Sequence, residues 1–232
     1  KYFASALTRL QRLRRHEGSA ATYKLGITYA DAAAHCIQTG DYLRAIEHLG
    51  RSSAESVWQR FFIGRTQCEL QLTLGQLKFA EQTLAHARNL PLKGDFFEIE
   101  HRLVESRLWE PSAELSGRLQ EALRMCRSLG TLYQECRLLL ALATVWLSMG
   151  DLENASVAAR KARRIARVNG YRPLGARALL LMGLSAKREI EKEFGLKKSL
   201  KEAAEIGLNP MMAECTFQIG AWRFSCGEYA EA

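Results

Sequence analysis

The feature that most limits how this chain can fold is a recurring spacing: a glycine, four residues, then an alanine. It reads "GDYLRA" from Gly40, "GQLKFA" from Gly75, "GRLQEA" from Gly117, "GDLENA" from Gly150 and "GEYAEA" from Gly227. The intervals are 35, 42, 33 and 77 residues, the last about twice the repeat length. Between copies the apolar residues follow a 3.6-residue period, and no segment alternates as a strand would. A period in the thirties with two helices per unit marks a stacked helical array.

The stretch Leu142 to Ala166, "LATVWLSMGDLENASVAARKARRIA", shows the physics of one unit. Gly150 ends the first helix, because a turn into positive φ favours the residue without a Cβ. Asp151 caps the second helix by accepting from its free N–H groups. Ala155 falls where the two helices cross, and a small side chain lets them approach. One such unit cannot bury its apolar face alone, so neighbours must stack.

This pattern resembles the tetratricopeptide repeat (TPR) family, whose 34-residue unit carries a small residue in the first helix, glycine in the turn and alanine early in the second. Gly40 with Ala45, Gly75 with Ala80, Gly117 with Ala122, Gly150 with Ala155 and Gly227 with Ala232 match the turn. Ala33, Cys68, Ala143 and Gly220 fill the small position of the first helix. Gly183 takes the same position in a unit whose turn is altered near Gly195. The resemblance implies an all-α, right-handed superhelix of about six helix hairpins, one domain over 1–232, divergent in its repeats. The expected hairpins pair Ala21–Thr39 with Tyr42–Leu49, Ser56–Leu74 with Leu77–Asn89, and Phe96–Trp109 with Ser112–Leu129. They continue with Leu132–Met149 and Leu152–Asn169, then Leu174–Phe194 and Leu196–Ile206, and end at Met211–Cys226. A basic amphipathic helix precedes them at Lys1–Arg15. The third unit, near 91–130, is degraded: Pro111 cannot continue a helix, and a bend is expected there. The last repeat is truncated, and the chain, which opens without methionine, reads as an excerpt of a longer protein.

Composition excludes some classes. No run of about 18 apolar residues could cross a membrane, and the basic start lacks a signal-peptide core. Six cysteines are scattered through helical patterns without a C-x-x-C pair. They read as small core residues in a reducing, cytoplasmic or nuclear location.

No residue pattern points to a reaction centre. The glycines fall singly at turns rather than in phosphate loops. His16, His35, His48, His86 and His101 are isolated, with no two at i, i+4. The serines show no nucleophile elbow. Glu189, Glu191 and Glu193 alternate with Lys187, Arg188 and Lys192 as a solvated face. No enzyme activity, metal or cofactor is expected of this segment.

Charge is unevenly spread. The net charge is +8, and residues 160–201 alone hold thirteen basic and three acidic residues. Arg160, Arg163, Arg164 and Arg167 make one helical stripe opposite Leu152, Ala155, Ala159, Ala162 and Ala166. The stripe is a solvated face, a docking surface for an acidic partner, or a nucleic-acid surface. For nucleic acid, aromatics should interleave the arginines, and only Tyr171 is near.

In the TPR family the first helices line a concave groove that holds an extended or helical peptide. Carried over, the groove would be lined by Ile27, Ala30, Ala34 and Ile37, then by Phe62, Arg65, Glu69 and Leu72. Further along it would be lined by Arg137, Leu140, Thr144 and Leu147, by Arg177, Leu180 and Leu184, and by Glu214, Phe217, Ala221 and Phe224. Arg65, Arg137 and Arg177 would meet carboxylates of an amphipathic partner. Family arrays that grip an acidic chaperone tail carry lysine and asparagine where this chain has Ala30 and Ala34, so that clamp is absent. The leading expectation is a non-catalytic scaffold that binds a protein partner or another part of its own chain. The alternatives are a sensor or autoinhibitory arm of a multidomain signalling ATPase or transcription regulator, and nucleic-acid binding through 160–201.

Overall fold

The computed structural model describes residues 8 and 19–227. The expected helix at Lys1–Arg15 lies, apart from Thr8, outside the described residues. All the regular structure described is helical, and the contacts divide the chain into two compact units, Lys1–Gly94 and Asp95–Ala232.

In the first unit, helices α1 (Ser19–Thr39) and α2 (Tyr42–Arg51) form one hairpin, and α3 (Val57–Thr73) and α4 (Leu77–Arg88) form the next. Gly40 turns the chain at φ 83°, and Asp41 then caps α2 by accepting from the Arg44 N–H at 3.3 Å. Ala33 and Ala45, the small positions of the first hairpin, are fully buried in one cluster with Ile37 and Leu70. In the second hairpin Cys68 and Ala80 are buried, and the Cys68 thiol donates to the Ala80 carbonyl at 3.3 Å. α3 opens with a capping box. The Gln59 N–H donates to Ser56 Oγ at 3.2 Å, and the Ser56 N–H donates to Gln59 Oε1 at 2.9 Å.

The second unit carries α5 (Asp95–Leu108), α6 (Ala113–Leu129), α7 (Leu132–Ser148), α8 (Leu152–Val168), α9 (Arg172–Leu184), α10 (Glu189–Ile206) and α11 (Asn209–Ser225). Each of the pairs α5/α6, α7/α8 and α9/α10 is a hairpin, and α11 follows α10. The first helices also pack on one another, α5 on α7 and α7 on α9. Their apolar residues merge into one core that includes Ile99, Leu119, Leu138, Leu142, Ala159 and Leu181. Burying a leucine in such a core is worth roughly 1.5–3 kcal/mol relative to leaving it exposed. The expected crossing residues Ala143 and Ala155 are both buried in this unit.

Two expected turns are placed differently. Gly117 is not a turn residue but lies exposed inside α6. Pro111 ends the preceding segment, and Ser112 caps α6 by accepting from the Leu115 N–H at 3.1 Å, so the helix opens at Ser112 as expected and already runs through Gly117. Ser116 then stands four residues after the cap, as Ala155 does after Asp151, and it is buried. In the fifth hairpin the turn is at Ser185–Arg188, not near Gly195. Ser185 donates to the Leu181 carbonyl at 2.7 Å as α9 ends. Gly195 sits within α10 at the crossing itself, where an added Cβ would lie 2.6 Å from the Gly183 Cα. Two glycines here bring backbone against backbone.

Five of the six cysteines are buried as expected of core residues, whereas Cys226, after α11, is exposed. Burial pushes the Cys136 thiol up to about 11, and that thiol donates to the Ala162 carbonyl at 3.4 Å. Among the described residues no helix is long and apolar enough to cross a membrane.

Two outcomes follow. Gly195→Ala should destabilise the second unit by about 1–3 kcal/mol in a denaturant titration, since neither facing backbone can yield to the new methyl. A thiol titration of the native protein at pH 8 should find Cys226 reacting fast, with the other five cysteines released only on unfolding.

Candidate functional site

The expected groove positions fall into three physical classes. On α3, Phe62 and Arg65 are half-buried and form a short aromatic ladder with Trp58. The Trp58 and Phe62 rings stack with centroids 5.3 Å apart, and the Arg65 guanidinium lies 5.5 Å from the Phe62 centroid. Glu69 is half-buried one turn further on. From α1, Asp31 faces this region. Burial raises its carboxyl above the usual range, and the charge of Arg65 partly offsets that rise.

In the second unit two expected lining residues belong to the core instead. Leu140 is buried, and Leu180 is fully buried against Leu196 and Cys215. Both are on the inner side of their helices because the neighbouring hairpin covers the stripe that periodicity assigned to a groove. Thr144 is half-buried and returns its hydroxyl to the Leu140 carbonyl at 3.0 Å. Phe217 and Phe224, by contrast, are 71% and 62% exposed on α11, too much for core residues.

In the second unit the expected groove arginines, Arg137 and Arg177, are not offered outward as single charges. Arg137 on α7 donates to both carboxylate oxygens of Glu100 on α5, at 3.0 and 2.9 Å. Gln134 adds a longer bond to the same carboxylate at 3.4 Å. The Glu100 side chain is fully buried, and one nitrogen, Arg137 Nη1, holds both oxygens of this carboxylate withdrawn from water. Arg177 on α9 likewise donates to Glu214 on α11. Each pair ties one first helix to the first helix of the adjacent hairpin. The irregular hairpin adds another buried acid. Glu105 accepts from Arg102 at 3.1 Å and pairs with Arg118 at 3.3 Å. The Arg118 guanidinium covers Trp109 at 4.2 Å.

The basic stripe on α8 also divides. Arg160, Arg164 and Arg167 are exposed, and the alanines Ala155, Ala159, Ala162 and Ala166 on the opposite side are buried. Arg163 is half-buried and bidentate to Glu202 on α10, at 2.8 and 2.6 Å. It has room because Gly175 lacks a Cβ, which would otherwise sit 2.6 Å from its Nη1. Arg172 pairs with Glu205 at 3.1 Å. These residues border an open cleft of about 400 Å³ between α8, the start of α9 and α10.

Sequence reasoning missed the carboxylates Glu100, Glu202 and Glu205, and it placed Glu214 in the groove without its pairing to Arg177. One signal was present: Glu100 and Glu214 each stand 37 residues from their arginine, close to one repeat. The basic window 160–201 closes just before Glu202 and Glu205, which partner two of its arginines. Among the described residues no three His, Cys, Asp or Glu side chains come together as a metal site.

No family model matches this chain, and no curated protein does. Among solved structures, the fold is similar to that of a Signal Transduction ATPase with Numerous Domains (STAND) protein with a tetratricopeptide repeat sensor, from Pyrococcus horikoshii. The TM-score is 0.58 and the sequence identity 14%, over 92% of this chain and 35% of that one. At this identity the likeness shows the fold, sequential TPR-like helix hairpins, and this chain spans about a third of that protein's length.

The Glu100–Arg137 pair yields a direct test. Arg137→Ala should destabilise the second unit by about 3–5 kcal/mol, because it strands a buried carboxylate. Glu100→Leu/Arg137→Met should recover most of that loss, as read by thermal unfolding at one pH.

Proposed function

We propose that this chain is a non-catalytic recognition array that binds an apolar or amphipathic segment of a protein, either a separate partner or another part of its own polypeptide. The observation that carries this reading is the exposed pair Phe217 and Phe224, two turns apart on α11, beside the Arg177–Glu214 ion pair. Two exposed aromatic rings on one helix, with the adjoining Arg177 and Glu214 already paired, favour an apolar contact. On this reading specificity comes from shape and ring contacts, and Arg137 and Arg177 act as internal struts rather than as hooks for a partner.

A second reading has its own support. The likeness to a STAND protein with a TPR sensor spans 92% of this chain. An array of this kind, joined to a nucleotide-hydrolysing or DNA-binding neighbour, would sense a ligand or hold that neighbour inactive. Nucleic-acid binding through 160–201 is the weakest reading. Arg163 and Arg172 are engaged with glutamates, and Tyr171 meets Tyr133 edge-on at 5.2 Å rather than standing as an open stacking platform.

The test is made in the full-length protein, with a photo-crosslinking residue placed at Phe217. A crosslink to a defined peptide, lost in Phe224→Asp while the melting temperature holds, is expected. If Phe217 captures nothing above solvent-facing control positions such as Glu153, the recognition reading on this face is wrong. If the crosslinked peptide comes from a catalytic neighbour in the same polypeptide, the sensor-arm reading is preferred.

A further inference from the structure

We propose that the cleft between α8, the start of α9 and α10 is an anion site that takes a small phosphorylated ligand. This site is separate from the aromatic face of α11, and its existence does not depend on what that face binds.

The cleft arises from the packing of the hairpins. α8 and α10 are the second helices of neighbouring hairpins, and each packs on α9. Ala166 and Gly175 form the floor of the gap between them, and the Arg163 guanidinium lies over Gly175. The volume, about 400 Å³, falls in the range of small-ligand pockets, roughly 300–1,000 Å³.

The walls are cationic beyond what the local acids can cancel. Five basic side chains border the cleft against two carboxylates. Both carboxylates are taken: Glu202 receives the bidentate Arg163, and Glu205 receives Arg172. These pairs hold the two guanidiniums in place at the rim. Arg167, Lys198 and Lys201 remain, exposed and facing the same gap from α8 and α10. Lys198 also lies over the Phe194 ring at 5.1 Å, which fixes its stem without removing its charge. Arg167, Lys198 and Lys201, converging on the gap with no local acid against them, suit compact, multiply charged oxygens. Arginine in particular matches the geometry of phosphate.

The size and shape select among anions. An extended acidic peptide or a nucleic-acid strand needs a track longer than one cleft between two helices, and a strand would call for stacked aromatics along it. A phosphate chain fits within the gap.

The experiment is titration calorimetry on the whole protein at about 0.1 M salt. Inorganic tripolyphosphate probes the bare chain, and metal-free ATP probes the same chain with an attached base. Both should bind saturably, and tighter binding of ATP would show that the attached group is also recognised. Arg167→Glu/Lys201→Glu should weaken both by about tenfold or more. Arg160→Glu/Lys161→Glu, the same charge change on exposed positions outside the cleft, should alter binding by less than about twofold. Melting curves verify that both variants fold. Non-saturating heats, or equal weakening by the two variants, would overturn the proposal. So would a single-stranded RNA that competes with tripolyphosphate equally well in the parent and in the Arg160→Glu/Lys161→Glu variant while binding far tighter than either probe.

Discussion

The close approach of two helices at small residues is the constraint on which the rest of this structure depends. Where Gly183 meets Gly195, no side chain separates the backbones. Where Ala33 faces Ala45, or Cys68 faces Ala80, a single small group does. With the hairpin closed this tightly, the larger residues have no place inside it and project sideways. They meet their counterparts from the next hairpin, which is why Leu138 and Leu142 of α7 share one core with Leu181 of α9. A hairpin alone would leave that surface wet, so its stability is tied to its neighbours.

Polar chemistry in the second unit follows the same geometry. First helices that stack side by side bring position-equivalent residues together one repeat apart. Arg137 with Glu100 and Arg177 with Glu214 use that proximity. A buried ion pair contributes little net stability against an apolar pair of the same shape. It does penalise any slip that separates the charges, so these pairs fix the register of the stack. The consequence is that Arg137 and Arg177, expected along a groove, are spent on internal pairs. The exposed large apolar residues of α11 are Phe217 and Phe224, while Arg167, Lys198 and Lys201 stand exposed along α8 and α10.

Much of this was legible in the sequence because the hairpin turn is a local event. Gly40, Gly75 and Gly150 all turn at positive φ where the spacing put them. The alanines of the α8 inner face were legible for the same reason, since a stripe depends only on the 3.6-residue period. Gly117 misled because its neighbours copy the motif, while the stronger local signals, Pro111 and Ser112, had already set the helix start. Gly195 misled because a glycine at a crossing and a glycine in a turn look alike until the partner backbone is seen. Leu140 and Leu180 show a further limit: periodicity finds the apolar face of a helix but not whether the next hairpin covers it. The glutamates that hold Arg137, Arg163, Arg172 and Arg177 lie 33 to 39 residues away in the chain, beyond any local pattern.

Native-state hydrogen exchange, read residue by residue, tests the central claim that each hairpin is stabilised through its neighbours. The account predicts that the slowest amides are those of α7 and α8, flanked on both sides, and that they exchange together with a common opening free energy. The amides of α11 should exchange faster, since one side of that helix carries exposed Phe217 and Phe224. Independent opening of each hairpin, or slowest exchange in α11, would contradict it.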